Sequence, residues 1–161
     1  MRRLLRALPG PRLAAGGSLA WAAAMAASAL WHVWQTGWRD DGAVAAVALL
    51  AAAGGLLAFV PAHAATGLLS AGRGHGARVA AAVLSFAVLT AGLTAALFAL
   101  HYRLYYAAWH AEAFTVEWAF QFAFTTANAG YQFAVLGLRL YLPIGLAALL
   151  AVSFLYARLP R

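Results

Sequence analysis

"AVAAVALLAAAGGLLAFV", residues Ala43–Val60, decides the fold. It carries no charge, and the uncharged stretch continues to Leu69. A helix needs about 20 such residues to cross a ~30 Å hydrocarbon layer. At that depth no water is available to backbone groups, so a crossing segment must be a helix or part of a closed barrel. Barrel strands alternate apolar and polar positions over ~10 residues, and this run does not alternate. It reads as a membrane-spanning helix.

The rest of the chain agrees. Of 161 residues, 65% are hydrophobic and 9% charged, against about 45–50% apolar and about 25% charged in a soluble domain. Further spans are expected at residues 13–35, 79–100 and 131–156, beside 43–69 for the run above, in a single polytopic domain covering residues 1–161. "TGWRDDG" makes a polar turn in which Asp41 or Gly42 suits the cap of the second helix. "SAGRGHGAR" makes a glycine-rich one.

The net charge of +7 does not describe a nucleic-acid surface. All eleven basic residues are arginine, and most flank apolar runs: Arg2, Arg3, Arg6 and Arg12, then Arg73 and Arg78, then Arg158 and Arg161. The acids Asp40, Asp41, Glu112 and Glu117 occupy the other loops. By the positive-inside rule both termini are cytoplasmic and the number of spans is even. Trp31, Trp34 and Trp38, and Tyr102, Tyr105, Tyr106 and Trp109, form the aromatic belt at the outer ends. Lysine-free, arginine- and alanine-rich usage points to a GC-rich bacterial genome, hence a cytoplasmic (inner) membrane. The chain has no cysteine, which excludes disulfides and thiolate metal sites. A competing reading takes "MRRLLR" and the small residues Ala27–Ala29 as a cleaved signal peptide, but the apolar run is long for that role. Gly16, Ala20, Ala24 and Ala27 recur every three or four residues, a pattern that lets helix backbones approach closely in lipid.

Polar chemistry gathers between His101 and Arg139. At 100° per residue, Arg103, His110, Glu117, Gln121, Thr125, Asn128, Gln132 and Arg139 fall within about 40° of one line on a helix. A polar group facing lipid costs several kcal/mol, so this seam is expected to face protein or water and to contact a partner or solute. One rod from His101 to Tyr156 would be ~80 Å long, too long for one crossing. The bend is expected at "NAG", Asn128–Gly130, where glycine permits a helix-ending conformation. An aromatic helix over residues 112–127 then lies in the interface or re-enters the membrane. A five-span alternative turns at "RLYLP", residues 139–143. The alternation of "WAFQFAF" also fits a strand, which is untenable unpaired in lipid.

Arg139 would sit about 12 Å inside the last span, a costly depth unless it pairs with Glu117 or Glu112 or reaches the phosphates. His32 and His101 lie at similar depth with His110 near, and these three are the candidates for haem or metal ligation, weighed against plain interfacial histidines; no cofactor is expected. His63 follows Pro61, which frees the carbonyl of Leu57, and reads as a core or kink histidine. The signatures "GxSxG", "HExxH" and the phosphate loop are missing, and Glu112 and Glu117 do not converge on a helix.

The size, the spans and the arginine-flanked ends are similar to the small membrane subunits of tripartite substrate importers, a resemblance carried by architecture and no motif. It implies a transport component. The residues themselves favour a non-catalytic accessory or assembly subunit of a larger membrane complex, not an enzyme, associated with another membrane protein or with itself. A small b-type cytochrome is the third reading.

Overall fold

A computed structural model describes residues 7–38 and 40–158. Arg2, Arg3, Arg6 and Arg161, which the charge argument uses, lie outside the described residues, as does Arg39. The described chain is all-helical, without strands. Its helices are α1 (Pro11–Thr36), α2 (Asp41–Leu69), α3 (His75–Tyr106), α4 (Val116–Val135) and α5 (Ile144–Arg158). Short 3-10 turns follow α3 at Ala107–Trp109 and α4 at Gly137–Tyr141. Three helices are long and apolar enough to cross a membrane, Pro11–Thr36, Asp41–Leu69 and His75–Trp109, and α5 is a shorter apolar helix.

Local chemistry explains the boundaries. Pro11 opens α1, where its missing N–H costs nothing. Gly37 closes it in the left-handed region at φ 72°, and the N–H of Trp38 returns to the carbonyl of Val33 at 3.3 Å. The cap of α2 is Asp40, one residue earlier than expected: its carboxylate accepts from the Ala43 N–H at 2.9 Å. Across Ala27–Ala29, α1 is unbroken.

Helix pairs run antiparallel. Phe59 of α2 sits against Gly17 and Gly55 against Met25, while Gly54 faces Thr94 of α3. Phe86 of α3 meets Tyr156 of α5, and Tyr141 meets Thr94. Arg12, Arg73, Arg78 and Arg158 therefore share one end of the bundle, and the four acids share the other. Phe86, 0% exposed, is the hub: its ring lies 5.1 Å from Trp21, 5.7 Å from Phe59 and 5.5 Å from Tyr156, joining α1, α2 and α5 through edge-on and tilted aromatic contacts. The expected small-residue stripe of α1 is not the packed face. Gly16, Ala20 and Ala27 are exposed, and the buried face is Ser18, Trp21, Met25, Ser28 and Ala29. Close approach comes instead from Gly54 and Gly55 of α2.

The bend is not at Asn128–Gly130, and the helix expected at 112–127 and the span at 131–156 need correction. α4 runs unbroken from Val116 to Val135, because Ala129 and Phe133, on either side of Gly130, are buried and hold the turn in helix. The helix fails at residues 136–143. Pro143 offers no N–H and pushes Leu142 into extended backbone, at φ −111° and ψ 139°. The chain does not reverse there. Phe133 meets Phe98 and Asn128 meets Tyr102, so α4 also runs antiparallel to α3. α4 and α5 thus form one broken rod, with α4 on the outer end of α3 and α5 on its middle.

Candidate functional site

The polar groups fall into two clusters. One is the junction of α3, the loop after it and α4. Thr115 caps α4, its hydroxyl accepting from the Trp118 N–H at 3.2 Å. The Ala111 N–H donates to Gln121 Oε1 at 2.7 Å, and Thr125 Oγ1 lies 3.3 Å from His110 Nε2. Asn128 and Gln132 both donate to the Tyr102 hydroxyl, at 2.9 and 3.4 Å. Arg103 lies over the Phe122 ring at 4.1 Å and the Trp118 ring at 5.7 Å, a cation–π placement rather than an ion pair.

The structure therefore brings His110, Gln121 and Thr125 together and hangs Asn128 and Gln132 on Tyr102. It leaves Glu117 and Arg139 apart, both exposed. The pairing of Arg139 with Glu117 or Glu112, one of the two alternatives for it, is not formed, and Arg139 has no ion pair among the described residues. Helix rise puts Arg139 roughly 30 Å from Arg158, about one hydrocarbon thickness. A second ruler agrees: Thr94, level with Tyr141, is ~24 Å along α3 from Arg78.

The other cluster is buried between helices. The Trp21 Nε1–H donates to Thr90 Oγ1 at 2.9 Å, and Thr94 Oγ1 donates to the Thr90 carbonyl at 2.8 Å. Thr94 also accepts from the Tyr141 hydroxyl at 2.7 Å. The Gly145 N–H, in the first turn of α5 and so without an intrahelical acceptor, donates to Ser28 Oγ at 2.9 Å. These bonds tie the broken segment to α1 and α3. His63, half-buried, reaches the Tyr156 hydroxyl through Nδ1.

Sequence reasoning missed Ser28, Thr90 and Thr94. Their signal was the cost of a hydroxyl in hydrocarbon, which directs such groups inward, and the four-residue spacing of Thr90 and Thr94. His32 is half-buried on α1 and His101 exposed on α3. Among the described residues no three His, Asp or Glu groups converge as a metal site. Compared with family models, curated proteins and solved structures, the chain finds no match.

Proposed function

We propose that this chain is an integral protein of a bacterial cytoplasmic membrane that acts as a non-catalytic accessory or assembly subunit of a larger membrane complex. It crosses four times, through α1, α2, α3 and the rod made by Gly137–Tyr141 and α5, with the arginine end cytoplasmic. The roughly 30 Å between Arg139 and Arg158 supports the fourth crossing. On this threading α3, measured from Arg78, overshoots the hydrocarbon by roughly 12 Å and carries α4 into the outer interface.

What α4 does with its two faces carries the accessory role. Its polar groups bond to Tyr102, His110 and Ala111 of the same chain, so they leave little to line a solute path. Phe120, Phe124 and Tyr131, at i, i+4 and i+11, are exposed. Aromatic side chains of this kind are enriched at the cores of protein interfaces.

The test is purification of the full chain in mild detergent with a photo-crosslinking residue at Phe124. A stoichiometric crosslink to another membrane protein is expected. A chain that purifies alone and passes solute into liposomes overturns the reading and restores the transport alternative; haem absorbance in the pure protein restores the cytochrome.

A further inference from the structure

A cleft of about 180 Å³ lies between α1, α3 and the segment leading into α5. Its floor is made by Trp21, Met25 and Phe86, all buried, and its mouth by Leu138, Leu142 and Leu146, all exposed. It opens sideways, toward whatever surrounds the bundle. Ala87 and Ala91 on α3 are too short to fill it. The polar groups at its edge are already engaged, Trp21 with Thr90 and Tyr141 with Thr94. An apolar space with no free polar partners does not hold water well and suits hydrocarbon.

Arg139 does not line this cleft but adjoins it in the chain. It lies in the 3-10 turn between Leu138 and Tyr141, both lining residues. The guanidinium is exposed and has no acid partner among the described residues. Its fork of donors matches a phosphate in two-point contact, and its distance from Arg158 puts it at phosphate depth.

We infer that the cleft is a lipid site: one acyl chain of a phosphate-bearing glycerolipid from the outer leaflet enters between α3 and α5, and its phosphate binds Arg139. A water-borne apolar ligand would have to pass through the acyl layer to reach the mouth, whereas a lipid chain already lies beside it. The inference rests on the four-crossing threading and not on the accessory role.

Native mass spectrometry of the full chain titrated with phosphatidylglycerol tests it. One tightly held lipid is expected. Arg139→Gln weakens retention about tenfold, the loss expected for one charge-assisted contact, and Ala91→Leu, which fills the cleft, does the same. Should Ala91→Leu fail to fold, Leu146→Trp fills the space from the opposite wall. Diacylglycerol, which lacks the phosphate, binds poorly, and inorganic phosphate does not displace the lipid. Equal retention by Arg139→Gln or by the filled variant overturns the site. So does equal binding of diacylglycerol, or displacement by inorganic phosphate. The crosslink at Phe124 is unaffected by these variants, so failure here and failure of the accessory reading are seen separately.

Discussion

Thr94 is the side chain on which the break depends. It donates to the Thr90 carbonyl, accepts from the Tyr141 hydroxyl and packs on Gly54. Thr94→Val keeps the shape and strands the Tyr141 hydroxyl, a loss of about 1–3 kcal/mol. Adding Tyr141→Phe removes the stranded donor, and most of the stability returns. Thermal unfolding in detergent of the two single variants and the double variant reads this coupling; additive losses would refute it. The glycines give an opposed pair. A Cβ at Gly54 overlaps the Thr94 side chain and comes to 3.0 Å of its Cα, so Gly54→Ala must push the α2 and α3 backbones apart, at about 1–3 kcal/mol. A Cβ at Gly92, inside α3, meets nothing within 4 Å, and Gly92→Ala gains about 0.5–1 kcal/mol from helix propensity. Melting temperatures shifted in the same direction would contradict this.

α4 is held to α3 by the buried Ala129 and Phe133 and by two amides on one tyrosine hydroxyl. Tyr102→Phe leaves the rings packed and removes both bonds. Hydrogen exchange over Val116–Val135 is expected to rise severalfold while exchange in α1 and α2 stays unchanged, because local opening follows local contacts. An unchanged α4 would mean that packing alone holds it. The sequence set eight polar residues on one helical line, and the structure divides them: Arg103 is on α3, His110 in the loop, Glu117, Gln121, Thr125, Asn128 and Gln132 on α4, and Arg139 in the 3-10 turn. Their partners were not legible in the sequence, since Tyr102 looked like any belt aromatic, and that line passed over Arg139, which the 3-10 turn takes out of helical register.

For the molecule as a whole, the threading puts the loop after α2 and the loop after α3 on opposite sides. The chain has no cysteine of its own, so Ala71→Cys and Ala113→Cys each give a single reactive thiol at an exposed position. In intact cells an impermeant maleimide is expected to label Ala113→Cys and to label Ala71→Cys only after lysis. Labelling of both from outside would break the four-crossing arrangement. The first two helices, Pro11–Thr36 and Asp41–Leu69, begin and end within two residues of the expected runs, while the third, His75–Tyr106, starts four residues earlier and ends six later than expected, because an apolar run marks what lipid requires and not where polar flanks let the helix stop.

The sequence alone determined the helical class and the presence of helices apolar and long enough to cross a membrane, since these follow from composition, run length and one-dimensional spacing. Only the tertiary structure decided where the last rod breaks. Gly130 and Pro143 were both eligible, and the choice fell to contacts made far away in the chain. Ala129 and Phe133 pack the helix through Gly130, while Ser28 and Thr94 satisfy polar groups of the broken segment around Pro143. A break in lipid survives only where such partners stand, and no local pattern records which helix will supply them.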